Sequence, residues 1–107
     1  MISKIVREIN GLNLGIVADF GYSETSESGI YVTNTYSEST SKHTKGEKIQ
    51  ILICLSTTEG GYEKIRDIAN KIINAMEKME CVGINHQYLG EYQNRHNYSI
   101  NLRTGGI

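Results

Sequence analysis

The chain has 107 residues, 11 Lys and Arg against 12 Asp and Glu, 38% hydrophobic residues, 11 glycines and no proline or tryptophan. That length makes one domain, residues 1–107, and near-neutral charge argues against a dedicated nucleic-acid binder, which carries a basic stripe. The longest apolar run, residues 51–55, falls far short of the roughly 20 residues of a membrane span, and the opening Met1-Ile2-Ser3-Lys4 lacks the apolar core and cleavage site of a secretory leader.

Residues 2–10 place Ile2, Ile5, Val6 and Ile9 on one helical stripe, with Lys4, Arg7 and Glu8 opposite and Asn10-Gly11 as the stop. Two turns of helix do not stand alone in water, so this one must dock. Residues 14–20 read as a short strand, residues 22–29 as a polar loop, and residues 30–36, rich in β-branched and aromatic side chains, as a second strand. Residues 37–46, SESTSKHTKG, hold no apolar side chain and read as a long hairpin loop that gains order from a partner.

Residues 48–55, KIQILICL, place Ile49, Ile51, Ile53 and Leu55 on one face and Leu52 and Cys54 on the other. A strand apolar on both faces is central and covered on both sides, here by helices or by a neighbouring subunit. After a polar turn, residues 62–79 form the clearest helix, with Ile65, Ile68, Ala69, Ile72, Ile73, Met76 and Met79 as its apolar stripe. Glu63 and Lys78 suit its dipole, and Asp67 and Lys71 are spaced to pair. Residues 87–92 and 96–103 read as two strands around Gln93-Asn94-Arg95, the second alternating Tyr98, Ile100 and Leu102 with Asn97, Ser99, Asn101 and Arg103. The order gives an α+β domain: a mostly antiparallel, mixed sheet of about four to five strands, one long helix packed on it and a short N-terminal helix.

Chemistry is sparse. Cys54 and Cys81 form no CxxC and read as inert thiols in a reducing cytosol. His43, His86 and His96 are scattered; a His86–His96 metal pair across the last hairpin has no HxH, HxxxH or HExxH to support it. No serine sits in GxSxG, and Gly60-Gly61 before the helix lacks any phosphate-loop pattern and is flanked by Glu59 and Glu63. No cofactor and no catalytic residue is therefore expected. Lys42, His43, Lys45 and Lys48 make a small basic patch, open to three readings: a solvated loop, a protein contact or a nucleic-acid contact. Tyr31, Tyr36, Tyr88, Tyr92 and Tyr98 fall on the expected strands, as interface residues or as ordinary half-buried ones.

The strand Ile49-Gln50-Ile51-Leu52-Ile53, the helix opening Tyr62-Glu63-Lys64, and the closing segment with Gly90, Glu91, Arg95, Tyr98, Ser99 and Asn101 together resemble the small tail terminator or tail completion proteins of tailed bacteriophages. The likeness covers residues 48–103. The family often carries an Arg just after the central strand, where this chain has Ser56, and a Pro before the Gly, which this chain lacks. The resemblance implies a structural virion protein, not an enzyme. It implies a homo-hexameric ring that caps the head-proximal end of the tail tube, ends tube growth and joins tail to neck. Its partners would be further copies of itself, the tail tube protein and neck or connector proteins, with the sheath protein as a further candidate, and neither membrane nor sequence-specific nucleic acid. It would be made in the bacterial host cytoplasm and reside in the virion tail. Arg95, holding carbonyls or a neighbour's carboxylate, and Asn101, bonding across a subunit seam, join Lys42, His43 and Lys45 as candidate interaction residues. Two alternatives stand beside this one: a head-completion or stopper protein of the neck, and a small non-viral ligand-binding or regulatory α+β domain.

Overall fold

The strand with two apolar faces does take the middle of the sheet. In a computed structural model the protein is described over residues 2–22, 27–39, 45–79 and 83–106, with backbone alone at 2, 35–39, 45–47 and 105–106. Two helices and five strands follow as α1 (Ile2–Gly11), β1 (Ala18–Phe20), β2 (Gly29–Ser39), β3 (Lys45–Ser56), α2 (Tyr62–Glu77), β4 (Gly83–Tyr92) and β5 (Arg95–Gly106). The sheet order is β1-β2-β3-β5-β4. Only the β1–β2 pair is parallel; the other three are antiparallel. The architecture is thus α+β with a mixed sheet, as the element order implies.

Period-two alternation decides which side of the sheet is dry. Ile30 and Val32 of β2, Ile49, Ile51, Ile53 and Leu55 of β3, and Tyr98, Ile100 and Leu102 of β5 are all buried and lie side by side in register. Against them α2 sets Ile65, Ile68, Ala69, Ile72, Ile73 and Met76, and α1 adds Ile5 and Ile9, all in one continuous core. Each fully buried Ile contributes about 1.5–3 kcal/mol of transfer free energy. Both helices lie on this one face. Among the described residues the other face has no helix on it: Tyr31, Thr33, Gln50, Leu52, Asn97 and Asn101 are only half-buried there, while Cys54, Ser56, Arg95 and Ser99 at one end are buried.

Several boundaries differ from the sequence reading, each for a local reason. The strand expected over 14–20 shrinks to Ala18–Phe20, because Asn13 (φ 54°) and Gly15 (φ 82°) turn the chain in the left-handed region. Gly11 is not the left-handed stop of α1; Asn13, two residues on, takes that conformation. The α2 helix ends at Glu77, so Lys78 is its C-cap rather than part of its last turn. At the two ends of the polar segment 37–46, residues 37–39 and 45–46 are strand rather than loop, and residues 40–44 lie outside the described residues. Ser37 pairs with Glu47, Glu38 with Gly46 and Ser39 with Lys45, while Lys45 and Gly46 also pair with Gly106 and Gly105. A backbone ladder needs no apolar side chains once the chain is held in register from the core. β2, β3 and β5 thus run on beyond the helices as a three-stranded arm, in a molecule 49 Å long.

The last hairpin turns on two residues, not three. Gln93 (φ 53°) and Asn94 (φ 61°) are both left-handed, the signature of a type I′ turn, and Arg95 pairs with Tyr92 as the first residue of β5. A bulge at Leu89 precedes Gly90, whose φ of 103° suits glycine alone.

Two outcomes check this packing. Ile68→Ala should cost about 2–5 kcal/mol in a denaturant titration. Lys71→Ala, which removes only an exposed pair with Asp67 at 3.2 Å, should cost less than about 0.5 kcal/mol. The double change Gln93→Asn with Asn94→Gly, residues at ease in a type I′ turn, should raise stability by about 0.5–1 kcal/mol, read as a higher melting temperature.

Candidate functional site

The face that the helices leave open is the largest feature of the molecule without cover from its own chain. Alternation puts Tyr31 and Thr33 of β2, Lys48, Gln50, Leu52 and Cys54 of β3, Asn97, Ser99, Asn101 and Arg103 of β5, and Asn85 and Gln87 of β4 on it. The named residues include five carboxamides, and Asp19 of β1, in register with Tyr31, adds a carboxylate near the β1 edge. The face is thus polar and mostly neutral, rich in groups that both donate and accept hydrogen bonds.

One end of this face is closed by Arg95. Its side chain is 1% exposed. Nη2 donates to the Tyr22 hydroxyl at 2.9 Å and Nη1 to the Glu27 carbonyl at 3.5 Å, with the guanidinium 5.8 Å from the Tyr22 ring. Tyr22 in turn meets Tyr31 edge to face at 5.4 Å, and the Ser28 hydroxyl accepts the Ser56 N–H at 2.8 Å. Arg95 therefore fastens the two described ends of the β1–β2 connection onto the sheet. Beneath it Cys54 is buried and donates from Sγ to Asn97 Oδ1 at 3.3 Å. Burial pushes the Cys54 thiol above its ordinary range, and the Arg95 charge partly offsets that. Asn97 also donates to the Gly90 and Arg95 carbonyls, tying the bulge to the start of β5.

The other end is cationic. Lys48 and Arg103 are directly opposite on β3 and β5, both exposed. Like charges in that relation repel and favour an anionic neighbour. They line a concavity of about 540 Å³ with Gly83, Asn85, Asn101 and the edges of Ile49, Ile84 and Leu102. Asn101 thus does lie on the polar face, half-buried, beside this cationic pair, and six residues along β5 from Arg95, about 20 Å away. The two candidates belong to different ends of one surface.

Lys42 and His43 lie outside the described residues, as does the side chain of Lys45, whose backbone opens β3. Cys81 also lies outside them. His86 and His96 do not meet: His86 Nδ1 bonds the Tyr98 hydroxyl at 2.6 Å, and His96 Nδ1 bonds the Tyr88 hydroxyl at 2.9 Å. Tyr88 carries Tyr62 of α2 edge to face at 4.8 Å, so these rings help seat the helix. Among the described residues no group of three or more His, Cys, Asp and Glu could hold a metal ion, and no helix is long and apolar enough to cross a membrane. Arg103, Asn85 and Gly83 were not marked by any sequence motif. Only the strand register, which sets Lys48 opposite Arg103, brings them together. No family model matches the chain, and no curated protein matches it.

Arg95→Ala should cost about 2–4 kcal/mol, from lost charge-assisted bonds and the space left behind. It should also open Cys54 to thiol reagents, measured as faster alkylation in the native state. Arg95→Lys should recover little, since an ammonium cannot reach both partners in the same fork. Asn101→Ala should shift the melting temperature far less.

Proposed function

We propose that this chain is a structural subunit of a phage-type tail, assembling as a homo-hexameric ring at the head-proximal end of the tail tube, where it ends tube growth and presents a face to the neck. The observation that carries this reading is the one-sided burial of the sheet. A subunit with one helix-covered face, one open carboxamide face and a three-stranded arm has separate surfaces for like neighbours and for unlike partners. Head-to-tail contacts close into rings only when two different patches meet.

The residues behind the family resemblance fall along the whole open face, from the fastened end to the cationic one. Gly90 supplies the bulge, Arg95 the buried anchor, Ser99 a buried strand position, and Asn101 the edge of the cationic concavity. Arg95 serves folding in this reading and Asn101 serves contact. The Lys48–Arg103 end meets an acidic rim of the tube or the neck by charge complementarity.

The test is polymerisation of a phage tail tube protein, with and without this chain. Sixfold rings seated at one tube end, and tubes that stop at a defined length, are expected. Lys48→Glu with Arg103→Glu should weaken capping while the melting temperature holds. Tubes that grow to the same lengths with the chain present, with none of it bound at their ends, would sink the proposal.

A further inference from the structure

The two outer edges of the sheet are finished in different ways. β1 is closed by its own chain. The Asn10 side chain accepts the Ala18 N–H at 2.7 Å and donates to the Ala18 carbonyl at 3.1 Å, as a neighbouring strand would. The Phe20 N–H is taken by Asp19 Oδ1 at 2.8 Å. Beyond β1, the outer side of β2 is broken by an irregularity between Asn34 and Tyr36. Folded proteins guard exposed edges with such devices, or with lysine and proline.

β4 has none of these over its first six residues, Gly83 to Tyr88. They include no charged residue and no proline, and run in regular register with β5 until the bulge at Leu89. None of the ten residues of β4 is buried. A flat, uncharged edge of this length is a template for another strand.

We infer that β4 pairs with β4 of a second copy, antiparallel about a two-fold axis through His86, so that the five-stranded sheets of two subunits become one continuous sheet. A two-fold axis perpendicular to the sheet keeps faces matched, and the His86 register matches chemistry too. Ile84 lies opposite the partner's Tyr88 on the helix-covered side. Asn85 lies opposite the partner's Gln87 on the open side, carboxamide against carboxamide. Leu89, 52% exposed, falls beside the partner's Gly83, where no atom lies within 4 Å of the missing Cβ. Centring the axis on Asn85 instead would set Ile84 against His86 and Gly83 against Gln87. A sequence without Lys, Arg, Asp or Glu points to a second copy as occupant, since the ionisable groups brought face to face are only the two His86 rings at the axis. The pairing stands on sheet topology and does not depend on the ring. It takes up only Asn85 and Gln87 of the open face, and Asn85 also borders the Lys48–Arg103 concavity.

Sedimentation of the full chain tests it. The unmodified protein should sediment as a dimer or a multiple of one. Asn85→Lys with Gln87→Lys, at two exposed positions, sets lysine against lysine across the axis. It should halve the native mass with melting temperature unchanged. Asn85→Lys with Gln87→Glu sets opposite charges against each other in this register alone and should keep the dimer, more tightly at low salt. A chain that stays monomeric at every concentration, a double-Lys variant that keeps its mass, or loss of the dimer in the Lys/Glu variant would each overturn the pairing. A hexamer that neither variant disturbs would overturn the pairing and leave the ring. A β4-dependent dimer that never binds tube ends would do the reverse.

Discussion

The structure depends on one constraint: only one face of the β-sheet carries helices. Ile49, Ile51, Ile53 and Leu55 on β3 need the stripe of α2, and α2 has no other apolar surface on which to lie. Antiparallel sheets commonly take this form, one side packed and the other wet. Here α1, which has only its Ile5–Ile9 stripe to bury, joins α2 on the same side rather than covering the opposite one. Every surface available for a partner follows from that choice.

The open face is not simply abandoned to water. At the end near the β3–α2 turn, the chain uses Arg95 as a rivet, burying a guanidinium to hold the segment that carries Tyr22, Glu27 and Ser28. Arginine suits the task because its rigid fork serves two partners while its plane meets an aromatic ring. Cys54 and Asn97 fill the space below. Towards the arm no such segment is described, and the face passes from carboxamides to the Lys48–Arg103 pair. A surface that is dry and fastened at one end and polar and cationic at the other is directional along the strand axis.

Much of the fold was legible because period and burial agree locally. The two-faced apolarity of residues 49–55 marked the central strand. The stripe from Ile65 to Met76 marked α2, and the alternation about Tyr98, Ile100 and Leu102 marked β5. The Asp67–Lys71 pair followed from spacing alone. What was not legible was set by register. Residues 37–39 and 45–46 include no apolar side chain to announce a strand, yet the ladder of β2, β3 and β5 runs on through them from the core outward. Arg95 lay one residue from a turn that two left-handed residues complete without it. The Lys48–Arg103 opposition depends on how β3 pairs with β5, which no single segment encodes. Lys42 and His43 were visible as residue types, but a basic patch in a polar segment carries no geometry.

The contrast between the two sheet edges follows from the same one-sided burial. α1 lies at the β1 side of the covered face, in contact with β1 and β2. It ends where Asn10 can turn its carboxamide onto Ala18, and so closes that edge at the cost of one side chain. No helix reaches the β4 side in the same way. α2 meets β4 through Tyr62 on Tyr88, near the bulge, and Ile84 packs half-buried against the core, but no residue of β4 is fully buried. Strand addition supplies backbone partners along the whole edge without further sequence. The short chain thus closes one edge with a carboxamide from its own helix and leaves the other for a strand from outside.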